Sequence, residues 1–127
     1  MKKWILILAL LVLLIPSLSM ASTYTSTNQL CWTPPVGGPP LDGYKIKWGT
    51  VSGTYTQTKD IDSTATSNAK CAAPNLSFSL GGLGLTSGTY YMVVTVYNAV
   101  GESVPSNEVI VPFVTAVPGG ASGLSVQ

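Results

Sequence analysis

Between Gly88 and Tyr97, apolar, β-branched and aromatic side chains alternate along GTYYMVVTVY. Tyr90, Met92, Val94 and Val96 fall on one face, and Tyr91, Val93, Thr95 and Tyr97 on the other. A period of two with these residue types predicts a strand. Asn98, Gly101 and Ser103 mark a polar turn, and Asn107 to Val111 predicts the returning strand. The same alternation recurs in Gly43-Tyr44-Lys45-Ile46-Lys47-Trp48-Gly49, where Tyr44, Ile46 and Trp48 share a face and the two lysines stay wet. Leu76-Ser77-Phe78-Ser79-Leu80 reads the same way, and Leu30-Cys31-Trp32 turns Leu30 and Trp32 to one side and Cys31 to the other. Thr54 to Ile61 is polar and Thr-rich, with Lys59 and Asp60 discouraging edge pairing, so it predicts an edge strand. Pro34 to Asp42, PPVGGPPLD, cannot continue a strand, because proline offers no ladder donor.

The start of the chain follows a different pattern. Lys2 and Lys3 precede an unbroken apolar run from Trp4 to Ile15, then Pro16 and the small-residue site Ser19-Met20-Ala21. This predicts a bacterial-style secretory signal peptide over residues 1–21. The run falls short of the ~20 apolar residues a bilayer core requires, so membrane contact is expected only through this peptide before cleavage. Residues 22–127 then form the mature chain, with residues 22–113 as one domain and 114–127 as a linker and tail. Removing Lys2 and Lys3 leaves four lysines against five acids, with no arginine and no histidine. Nothing there could neutralise a row of phosphates, which excludes nucleic acid as a partner. The two cysteines, Cys31 and Cys71, are expected to form one disulfide in an exported chain.

GY-x-I-x-W-G at Gly43–Gly49, the hairpin from Gly88 to Val111 and the Leu30/Trp32 pair together resemble a fibronectin type III domain over roughly Gln29 to Pro112. The resemblance implies an all-β, immunoglobulin-like sandwich of about seven strands. Strands A, B and E would form one sheet and C, C′, F and G the other. It implies a core of Leu30, Trp32, Tyr44, Ile46, Trp48, Phe78, Leu80, Tyr90, Met92, Val94 and Val96, with Trp32 central. Tyr90 or its neighbour Tyr91 would be the corner tyrosine whose hydroxyl bonds to the preceding loop. Cys31 would face outward, so that the segment Asp62 to Asn75 crosses the outside of strand B to bring Cys71 to it. The family's first strand is another matter. Ser22 to Asn28 shows no apolar alternation and Tyr24 is its only large residue, so strand A is expected to be shortened or missing.

Ala121-Ser122-Gly123-Leu124-Ser125-Val126, after the linker Val117-Pro118-Gly119-Gly120, resembles the opening strand of a further domain of the same family. Three readings of it stand: a remnant tail, a strand folded back on its own domain, or a donor strand completing the sheet of the next copy. Donor-strand addition repeated head to tail would give a fibre.

Catalysis has no visible apparatus. Without histidine no nucleophile–base–orienter set can be built. Asp60 and Asp62 make a weak calcium candidate far short of six oxygens, and the glycine runs lack the context of a phosphate loop. No metal or other cofactor is expected, and the chain is read as a non-enzyme. Tyr91 and Tyr97 are candidates for a contact surface. The expected function is a secreted or cell-surface module for protein binding, including self-assembly with its own copies. The alternative is a spacer or binding module for polysaccharide beside a separate enzyme.

Overall fold

The computed structural model describes residues 22–63, 70–115 and 119–127. The signal-peptide segment, the middle of the Asp62–Asn75 insertion and the linker residues 116–118 lie outside the described residues. Six strands are described: β1 (Gln29–Trp32), β2 (Gly43–Gly49), β3 (Gln57–Asp62), β4 (Leu76–Ser79), β5 (Gly88–Tyr97) and β6 (Val109–Phe113). They form a two-stranded sheet, β1-β4, and a four-stranded sheet in the order β3-β2-β5-β6, with every pair antiparallel.

The alternating faces of the strands close against one another. Tyr44, Ile46 and Trp48 of β2, Met92 and Val94 of β5, and Val111 and Phe113 of β6 are buried together with Ile61, Leu80 and Leu83. Leu30, Trp32, Phe78, Tyr90 and Val96 pack on this cluster but are only partly buried. Trp32 is therefore not the sealed centre of the core. It stacks at a tilt on Tyr44 with ring centroids 5.4 Å apart, and Ile46 and Met92 hold the centre. Leu80 closes no strand. It begins a 3₁₀ turn, Leu80–Leu83, whose first turn is capped by the Ser79 hydroxyl and which ends at Gly84 in the left-handed region.

Strand boundaries differ from the sequence pattern in two places. The polar edge strand starts at Gln57, because Val51 and Thr54 are occupied in a tight turn. The last strand runs from Val109 to Phe113, two residues later than the pattern predicts. The reason lies on β5. Val94 and Val96 spend their backbone groups on Ser106 and Ser103, each of which uses both its amide and its hydroxyl. The ladder to β6 can begin only at Met92. Phe113, Val111, Ile61 and Leu83 thus join the core from positions the alternation did not single out.

The two glycines that bracket β2 serve close approach. A Cβ at Gly43 would stand 2.5 Å from the Ile61 carbonyl oxygen, and one at Gly49 2.1 Å from that of Thr54. Both obstacles are backbone and cannot swing aside.

Candidate functional site: an uncovered trough where a first strand would lie

Residues 22–28 form no strand. Tyr24 makes a single parallel bridge to Phe113, donating its N–H to the Pro112 carbonyl (2.8 Å) and accepting from the Val114 N–H (2.9 Å). The chain then turns. The Thr25 N–H donates to the Asn28 side chain, Ser26 O accepts from the Gly81 N–H and the Ser79 hydroxyl, and Asn28 O accepts from the Leu80 N–H. This short segment crosses from the edge of β6 to the start of β1 at one pole of the sandwich. The same pole holds the 3₁₀ turn and Thr115, whose N–H donates to the Ser87 hydroxyl. It is also where Tyr90 donates to the Thr86 carbonyl at 3.0 Å, the bond of a corner tyrosine, while Tyr91 lies on the outer face.

Above Tyr24 nothing described covers the gap between β1 and β6. The consequence is visible in side chains that face inward yet remain partly open. Leu30 and Trp32 are half-buried, and Val109, on the inward face of β6 with Val111 and Phe113, keeps 36% of its surface exposed. Between them runs a trough of about 300 Å³, floored by Met92 and Val94, with Leu30 to Thr33 on one side and Ser106 to Val109 on the other. A further hollow of about 200 Å³ continues it past Trp32 to Pro35 and Val104. That hollow in turn meets a cleft of about 680 Å³ between the Pro34–Asp42 loop and the Asn98–Asn107 loop. Behind the trough wall, the Trp32 Nε1 is buried and makes no hydrogen bond among the described residues. A buried donor left unpaired costs about 1–3 kcal/mol.

The far pole is held by its own polar contacts. Asp42 N–H donates to Tyr97 O, and Asn98 Nδ2 to Pro40 O, which tie the two loops together. Glu102 reaches over the outer face of the large sheet, paired with Lys47, with Lys45 at 3.2 Å and accepting from the Thr95 hydroxyl at 2.8 Å. The Lys47 bond first, then Thr95 and Lys45, hold its carboxyl down to about 2. This cap explains why Thr95, on the outward face of β5, is fully buried. Glu108 accepts from the Ser52 hydroxyl, the Tyr55 hydroxyl and the Gly53 N–H, and these bonds hold its pKa below the usual carboxylate range. Tyr97 is not a free contact residue. Its hydroxyl donates to Asp60 at 2.7 Å, which raises its pKa, and Lys45 lies 4.9 Å over its ring. Tyr91 pairs with Ile110 across β5 and β6 and is half-buried.

Cys31 and Cys71 are joined as a disulfide, with Cα atoms 5.6 Å apart. Cys31 is exposed on the outside of β1 and Cys71 is buried. The described end of the insertion, Lys70 to Asn75, lies beside β1, where Lys70 donates to the Thr27 carbonyl and the Thr33 hydroxyl donates to Asn75 Oδ1. The trough is thus closed from the outside at its disulfide wall and left open along the edge. Residues 119–127 carry no strand, and Leu124 and Val126 are fully exposed in the single chain. Among the described residues no set of three or more metal-binding side chains comes together.

Two sheets packed face to face, with the corner tyrosine and this strand order, define an immunoglobulin-like β-sandwich. The fibronectin type III domain model matches residues 16–112, and the chain belongs to that family. No curated protein and no solved structure matches it. Domains of this family are generally non-catalytic binding or spacing modules, and the disulfide fits an oxidising compartment.

Proposed function

We propose that this protein is an exported, non-catalytic module that works by binding protein, and that its partner is a second copy of itself, joined through the C-terminal tail. The single observation that carries the reading is an inward face left open among the described residues together with an exposed apolar pair on the tail. Inward-facing Leu30, Trp32 and Val109 are left uncovered where a first strand would lie, and Leu124 and Val126, at strand spacing, are fully exposed on the tail. An open sheet edge beside an apolar slot is a template for an added strand. Covering two such side chains contributes roughly 3–6 kcal/mol, before the cost of ordering the tail.

Light scattering on the mature chain from Ser22 tests this. Assembly that grows with concentration and disappears in a Leu124→Asp/Val126→Asp chain supports the reading. A chain that stays monomeric at millimolar concentration contradicts it. A monomer that instead binds insoluble polysaccharide would place it among the carbohydrate-associated modules.

A further inference from the structure

We infer that the acceptor for the tail is the trough between β1 and β6, and that residues 121–127 of a second copy enter it at the pole between the Pro34–Asp42 and Asn98–Asn107 loops. They then run antiparallel to β1, past the half-open Trp32 ring. This rests on the self-association reading above and specifies where and in which sense the strand docks.

Three features fix the direction. The opposite end of the trough is occupied: Tyr24 is bonded on both sides, to Pro112 and Val114, and Ser26 and Asn28 are bonded to the 3₁₀ turn. A strand entering there would have to break those bonds. The entry end is open, since the trough adjoins the hollow past Trp32, and that hollow adjoins the cleft between the loops, each pair sharing lining residues. The chain's own tail leaves from the closed pole, where Thr115 is held by Ser87. To reach the open pole it must travel the length of β5, ten residues, or ~33 Å. The six steps from Thr115 to Ala121 span at most ~21 Å. The tail can reach an open entry only on another molecule whose open pole faces this one's closed pole. Such a contact joins unlike surfaces, so it continues from copy to copy into a fibre or a ring.

The chemistry of the slot matches the segment. A strand running there ends just short of Ser22 and continues the line of Tyr24 along β6. One face of it, Leu124 and Val126, meets the open sides of Leu30, Trp32 and Val109. Ser125 points away. The strand covers the half-open ring of Trp32.

The test uses two full mature chains. A Leu124→Asp/Val126→Asp chain keeps the trough but has no donor, and carries ¹⁵N in its two indoles, Trp32 and Trp48. An unlabelled Val109→Lys chain keeps the donor but places a charge in the trough. Each alone is monomeric on this account. Mixed, they form a one-to-one complex in which the Trp32 indole resonance shifts as its half-open ring is covered and that of the buried Trp48 does not. A complex that leaves the Trp32 signal unmoved overturns the trough as acceptor, while tail-dependent association stands. Absence of a complex when the wild-type chain assembles does the same. If the wild-type chain does not assemble at all, both readings fall. Where Val109→Lys does not fold, Thr33→Lys serves, since Thr33 is exposed and lines the same channel.

Discussion

At the scale of single residues, the clearest constraints are steric. Gly49 stands where any Cβ meets the Thr54 carbonyl, so Gly49→Ala should lower stability by about 1–3 kcal/mol. Urea unfolding followed by tryptophan fluorescence would show it, and a neutral result would mean that the β2–β3 turn can open. Ile46 has no exposed surface, and Ile46→Ala should cost about 2–5 kcal/mol. Trp32→Ala should fall toward the lower end of that range, because half of its burial awaits a covering strand. These side chains show how far the sequence could be read. The alternation in β2 and β5 placed Tyr44, Ile46, Met92 and Val94 inside, since a period of two permits one solution per strand. It could not show that Trp32 is only half covered. That depends on a neighbouring strand, and burial is a property of the whole sheet.

At the scale of elements, the two long loops and the insertion are fixed by polar contacts with no periodic signature. Ser103 and Ser106 take over β5's backbone groups and delay β6 by two residues, which no hydrophobic pattern reports. Glu102 clasps its loop to Lys45, Lys47 and Thr95. Its carboxyl lies at about 2 in the fold against an ordinary 4.5. A lowered native pKa gives stability that is present above the unfolded value and lost as the pH falls from about 4.5 toward 2. The group is partly exposed and screened, so the expected contribution is about 1 kcal/mol or less. Acid titration of the melting temperature should show a smaller drop in this window for Glu102→Gln than for the parent. Equal drops would assign the acid sensitivity elsewhere. The disulfide spans 40 residues. Replacing both cysteines by serine should cost about 4 kcal/mol in the chain-entropy model. It should also free the insertion from the back of β1. A melting temperature unchanged by the double substitution would show that Lys70 and Asn75 hold the insertion unaided.

At the scale of the whole molecule, the described residues leave the strand position beside β1 largely uncovered, and residues 119–127 carry no strand. The sequence shows both halves of that imbalance, since Ser22–Asn28 lacks apolar alternation and Ala121–Val126 has it. It does not show the Tyr24 bridge, which seals one pole and so gives the vacancy a direction. A single aromatic residue in a polar stretch gives no such signal. The account rests on one claim: the uncovered inward face of β1 and β6 is completed by the tail of another copy. Sedimentation equilibrium of the chain from Ser22 beside its Leu124→Asp/Val126→Asp variant tests it most directly. The account predicts association of the parent, with average mass rising with concentration, and a monomeric variant with the parent's melting behaviour at dilution. A parent that remains monomeric, or a variant that assembles equally well, would contradict it.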